Sequence, residues 1–208
     1  LPSLSGGPTF DTLTELAKNY ADRILELAPD GPIHLVGWSL GGVIAHAVAH
    51  ELETRSVPVS TVAILDSYPA SSDDQPEELS VTELIAGLGL PPDETEIETF
   101  ADAAALLERT LGPGTGVEAQ HLERISAGYS HSVALTNAHR PTRYDGDITF
   151  FVARQSADNG HDVTEWREFV GGDIAVDDVD CRHNQMIEPG PIAHVAAAIK
   201  RHLLAEDV

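Results

Sequence analysis

The sequence predicts an α/β fold, a mostly parallel sheet with helices on both faces and an inserted helical segment. Three observations carry that expectation. Short apolar strands alternate with amphipathic helices at both ends of the chain. The first strand runs straight into a helix through Gly37-Trp38-Ser39-Leu40-Gly41. Between Tyr68 and about Gly146 no strand pattern appears, only helical stretches joined by acidic and Pro/Gly-rich connections.

Each element follows from local pattern. Thr12-Leu13-Thr14-Glu15 has capping-box spacing, and Leu13, Leu16, Tyr20, Ile24 and Leu27 recur at three or four residues, which predicts an amphipathic first helix. Asp30-Gly31-Pro32 ends it, and Ile33 to Val36 reads as a short buried strand. The helix after Ser39 turns Val43, Ile44, Ala47, Val48 and Leu52 toward a core, and Val62 to Leu65 forms the next strand, ending at Asp66. Within the strandless span the longest helix is expected from Val117 to His139, with Leu122, Ile125, Tyr129 and Val133 on its apolar face. The alternation resumes with strands at Ile148–Ala153 and Ile174–Val179 around a short helix near Trp166. A last helix after Pro189 turns Ile192, Val195, Ala196, Ile199 and Leu203 inward. The expected organisation is one domain over 1–208 with 69–146 as an inserted helical lid.

Composition excludes several partner classes. Twelve Lys plus Arg against 34 Asp plus Glu give a formal charge of −22. A surface of that sign repels phosphate backbones and anionic lipid, so neither nucleic acid nor a membrane is an expected partner. No apolar run approaches the ~20 residues that span a bilayer. The single cysteine, Cys181, excludes an internal disulfide and a multi-thiolate zinc site, which suits a reducing, cytoplasmic compartment.

The chemistry centres on the glycine turn. G-x-S-x-G where a buried strand meets a helix forces the serine into a strained backbone and lifts its hydroxyl clear of the sheet. Crowding is expected at both flanking glycines, Gly37 and Gly41. Ser39 would sit at a helix N-terminus, where the backbone N–H of Leu40 can stabilise an oxyanion. A serine hydroxyl needs a base and an orienting acid. Asp66 follows one strand and His183 follows the last, so three separate segments deliver Ser, Asp and His to the carboxyl rim of one sheet. That chain order belongs to the α/β-hydrolases. Asp158, after the third strand, is the rival acid, and turn chemistry alone explains either aspartate.

GWSLGG, ILDSYP and CRHNQMIEP resemble the nucleophile, acid and histidine motifs of the type I thioesterase domains of nonribosomal peptide synthetases. The likeness runs from the first helix to the last. It implies a serine hydrolase with Ser39 as nucleophile, His183 as base and Asp66 as acid, and Trp38 and Tyr68 as substrate-binding residues. It implies no intrinsic cofactor and no metal. The substrate would arrive as a peptidyl or acyl thioester on the phosphopantetheine arm of a peptidyl carrier domain in cis, and leave by hydrolysis or macrocyclisation. Such domains begin with further strands and a glycine-rich loop, whereas this chain opens with Leu1-Pro2-Ser3 just before a helix. The expectation is therefore an N-terminally incomplete piece of a longer polypeptide, with the second oxyanion donor absent from this chain and the strand at Ile33 left as an exposed edge.

Other residues invite competing readings. His46 and His50 stand at i and i+4 as a formal metal pair, but no H-E-x-x-H glutamate accompanies them. Cys181 reads as a packed side chain rather than a nucleophile. Arg140 and Arg143 either meet a pantetheine phosphate or pair with neighbouring carboxylates. Beside the thioesterase stand two other functions: a free-standing carboxylesterase or amidase of the same fold, and a non-catalytic carrier- or acyl-binding module.

Overall fold

A computed structural model describes residues 9–27, 31–70, 80–82, 97–112 and 116–206. The chain divides into two compact units. One combines residues 10–72 with 138–208; the other combines 1–9 with 73–137.

In the first unit four strands, β1 (Ile33–Trp38), β2 (Val59–Leu65), β3 (Ile148–Ala153) and β4 (Ile174–Val179), form one sheet in the order β1-β2-β3-β4. Every pair is parallel. All carboxyl ends therefore share one rim. Trp38 stands opposite Leu65, and Ala153 opposite Val179, so the residues after each strand emerge side by side.

Helices α1 (Leu13–Leu27), α2 (Leu40–Thr54) and α5 (Pro189–Glu206) cover the sheet. Strand alternation sorts the faces. Ala63, Leu65, Phe151, Ala153 and Val179 pack with Cys181, Met186, Val195 and Ala198 of the last segment, and partly buried Trp38, Ile192 and Ile199 join them. Ile64 lies under Gly42 of α2 on the opposite face. All five residues expected to bury on α2 do so. On α5 Val195 is buried but Ala196 is not; Ala198 takes its place. The side chain of Leu203 lies outside the described residues.

Two strand and helix expectations change. β1 is an edge among the described strands, and its burial alternates rather than running through, with Val36 55% exposed. Helix α1 buries Leu13, Leu16, Ala17 and Ala21, while Leu27 is 84% exposed. The small alanines face inward because they let α1 approach α2 closely. The capping box is also shifted by one residue: Thr12 Oγ1 accepts the Glu15 N–H, but the Glu15 carboxylate reaches the Asp11 N–H at 3.1 Å.

The second unit contains α3 (Phe100–Leu111) and most of α4 (Ala119–Ala138). Reciprocal bonds between Thr99 and Asp102 cap α3. Ala103, Leu106 and Leu107 pack with Leu122, and Ile97, Phe100, Val117 and Ile125 surround them. The buried face of α4 is not the expected one. Leu122 is buried, but Tyr129 is 37% exposed, and Ser126, Ser132 and Thr136 are buried instead. Two of these hydroxyls are satisfied on the helix's own carbonyls, Ser132 on Gly128 and Thr136 on Val133, which removes the cost of burying them.

Candidate active site

Ser39 occupies the turn between β1 and α2 with φ 52° and ψ −132°. Its N–H donates to the Leu65 carbonyl at 3.0 Å, and its own carbonyl accepts the Gly42 N–H at 2.8 Å. The turn is therefore clamped to β2 on one side and to the helix on the other. Crowding falls on Gly37 and Gly42 rather than on Gly37 and Gly41. A Cβ at Gly37 would lie 2.0 Å from the Gly41 carbonyl oxygen, and one at Gly42 would lie 2.4 Å from Ser67 Cβ. A Cβ at Gly41 meets nothing within 4 Å among the described residues. The third glycine of GWSLGG is thus the one pressed against the acid-bearing strand end. Leu40 opens α2, so its N–H belongs to the first turn, where backbone donors have no intrahelical acceptor.

Asp66 lies at the carboxyl end of β2, buried, with φ 45°. Its N–H bonds the Phe151 carbonyl at 2.8 Å. Its Oδ1 accepts the Ala153 N–H at 3.1 Å and the Tyr68 hydroxyl at 3.3 Å. Burial, and then the Asp66 charge, push the Tyr68 phenol well above its ordinary range, so it remains a donor. Oδ2 is left for His183, whose Nδ1 approaches to 2.7 Å. With both carboxylate oxygens accepting, Nδ1 carries the proton and Nε2 is left as the acceptor.

His183 opens a three-residue 3-10 turn, and its side chain is 37% exposed. Three further contacts hold it. Its N–H donates to Ser156 Oγ at 2.8 Å, and its carbonyl accepts the Trp38 indole N–H at 3.1 Å. The indole also stacks on the imidazole, with centroids 5.3 Å apart and planes at 28°. Ser156 carried no signal in the sequence; it reads there as one polar residue of a turn. Its segment is itself tied to the histidine loop by Gln155 N–H on the Cys181 carbonyl at 3.0 Å.

The remaining candidates separate from this cluster. Asp158 belongs to the 3-10 turn Arg154–Asn159, and its side chain lies outside the described residues. Cys181, two residues past the end of β4, is buried in the core. Burial, followed by the Asp66 and Asp180 charges, raises its thiol above the ordinary range and so disfavours the nucleophilic thiolate. His46 is fully buried between Trp166 and Tyr144 and bonds the Phe169 carbonyl at 3.0 Å, while His50 Nδ1 stands 3.8 Å from Glu53. Among the described residues no group of three His, Cys, Asp or Glu is arranged to hold a metal ion. Arg143 pairs with Asp145 at 3.1 Å. Arg140 lines a cavity of about 600 Å³ with Pro69, Ala70, Thr164 and Arg167, and donates to the His139 carbonyl at 3.2 Å.

Comparison with known proteins bears on the family and the fold. The dimodular nonribosomal peptide synthase of Bacillus subtilis (strain 168) is 27% identical over 197 residues, which is 90% of this chain and 8% of that protein. The chain therefore spans under a tenth of that relative's length. A crystal structure of a holo four-domain nonribosomal peptide synthetase bound to AMP and glycine superposes with a TM-score of 0.74 at 18% identity, covering 91% of this chain and 16% of that one. The NocB thioesterase domain, solved as a covalent complex with a fluorophosphonate nocardicin G analogue, gives a TM-score of 0.65 at 23% identity, over 94% of this chain and 76% of that one. These neighbours share its α/β fold. Among the described residues no helix is long and apolar enough to cross a membrane. The thioesterase domain family matches residues 2–203, and the chain belongs to that family.

Proposed function

We propose that this chain releases a peptidyl or acyl group from the phosphopantetheine arm of a carrier domain held in cis. Ser39 is the nucleophile, His183 the base and Asp66 its orienting acid; water or an internal nucleophile of the substrate completes release. The observation that carries this reading is the 2.7 Å contact from Asp66 Oδ2 to His183 Nδ1 at the rim where Ser39 stands in its positive-φ turn. In the first step Ser39 Oγ attacks the thioester carbonyl and passes its proton to Nε2. The Leu40 N–H stabilises the oxyanion, and the pantetheine thiol leaves with that proton. Water then repeats the sequence on the acyl-serine ester. Tyr68 supports the acid through its hydroxyl bond, and segment 69–146 serves as the inserted lid of a single domain over 1–208. The likeness to nonribosomal peptide synthetases supports a carrier domain as the partner here; the charge of −22 fits a cytoplasmic chain with no nucleic acid or membrane involved.

Turnover of an acyl-pantetheine thioester, compared with the oxygen ester of the same acyl group, tests the reading. The thioester should be preferred, and Ser39→Ala should lower its turnover by about 10⁶-fold. Preference for the oxygen ester would move the chain to the carboxylesterases, and turnover surviving Ser39→Ala would remove the serine from the chemistry.

A further inference from the structure

We propose that Trp38 is a positioning residue for His183, tying the base to the strand end that carries the nucleophile, and that it is not a substrate contact. The proposal rests on the reading of His183 as the base. Trp38 is the last residue of β1, fixed opposite Leu65 in the sheet and joined directly to Ser39. Its indole N–H is already used on the His183 carbonyl at 3.1 Å, so it has no proton left to offer a substrate. Its ring covers one face of the imidazole at 5.3 Å. The side chain is partly buried, packed against the core cluster that includes Leu65, Phe151 and Met186.

Those contacts answer a mechanical problem. His183 sits in a 3-10 turn of three residues, 145 positions along the chain from Trp38, on a loop with no regular element of its own to hold it. Asp66 fixes Nδ1, and Ser156 fixes the main-chain N–H at 2.8 Å. Neither restrains the tilt of the ring or the position of the carbonyl. Trp38 restrains both, from a residue adjacent to Ser39, so that nucleophile and base share one rigid mount.

The test uses the whole chain with Trp38→Phe, which keeps a ring but loses the N–H, and Trp38→Leu, which loses both. An acyl N-acetylcysteamine thioester is the substrate, and the His183 Nδ1 proton is followed by NMR. Losing the hydrogen bond should lower kcat about fivefold, and losing the stacking as well should lower it roughly 25-fold, with KM within about twofold of wild type. The Nδ1 proton should remain visible in Trp38→Phe and be lost to solvent exchange in Trp38→Leu at matched thermal stability. A rise in KM at constant kcat would make Trp38 a substrate contact and overturn the proposal, as would an unchanged Nδ1 proton in Trp38→Leu. A wild type that turns over no thioester, yet loses the proton in Trp38→Leu, would overturn the role of His183 as base and leave the tie itself standing.

Discussion

Ser39 and Asp66 are held at φ 52° and φ 45°, a region that non-glycine residues seldom enter. Such geometry costs on the order of 1–3 kcal/mol per residue and survives only where the surroundings fix it. Here each strained residue spends its N–H on the next strand, Ser39 on Leu65 and Asp66 on Phe151, so the ladder holds the strain in place. His46 is under stress of another kind, electrostatic. Burial, opposed by its bond to Phe169 and aided by His139 and His50, lowers its pKa from 6.5 to about 4. The folded state thus holds it neutral while the unfolded chain protonates near its ordinary pKa. Stability from this residue is complete above about pH 6.5 and is lost as pH falls toward 4. Between pH 7 and pH 4.5 the loss amounts to about 2.5 kcal/mol. Urea melts at these two pH values should show that difference shrink by about this amount in His46→Phe, whatever the variant's absolute stability. An unchanged difference would mean that His46 does not titrate on unfolding.

At the level of elements, the glycine turn separates residues that the motif treats alike. Gly37→Ala would drive a methyl into the Gly41 carbonyl, where only backbone could yield, and should cost about 3 kcal/mol. Gly41→Ala, in the first turn of α2, meets nothing within 4 Å among the described residues and should be neutral or stabilise by up to ~1 kcal/mol, whatever it does to activity. Equal destabilisation in denaturant melts would contradict the assigned packing. The motif's spacing was legible in the sequence, but the crowding at Gly42 was not, because it depends on Ser67, just past the end of the neighbouring strand β2. The helix faces mark the same boundary. Periodicity located α1 and α4, yet it favoured large apolar side chains such as Leu27 and Tyr129 over the alanines and hydroxyl residues that are buried. Close helix approach rewards small residues, and hydroxyls satisfied on their own helix count as apolar for packing; hydropathy registers neither effect.

For the molecule as a whole, parallel strands in sequence order deliver Ser39, Asp66 and His183 to one rim, and that much follows from strand pattern and chain order. What holds His183 there was invisible in the sequence. Ser156 and Trp38 hold it across separations of 27 and 145 residues, and the Ala153 N–H holds its partner Asp66 across 87; each is explained locally by a turn, a neighbour of the nucleophile or a strand. Asp66 was separable from Asp158 in sequence only by motif likeness and strand order, whereas its contact with His183 is direct. The most direct test of acyl transfer through Ser39 is the rate and position of labelling by a fluorophosphonate, mapped by mass spectrometry on the intact chain. One adduct should appear, on the peptide containing Ser39. It should vanish in Ser39→Ala, form about 10⁴-fold more slowly in Asp66→Asn, and form within about tenfold of the wild-type rate in Asp158→Asn. An adduct on Cys181, one that survives Ser39→Ala, or the reverse ranking of the two aspartates would contradict it.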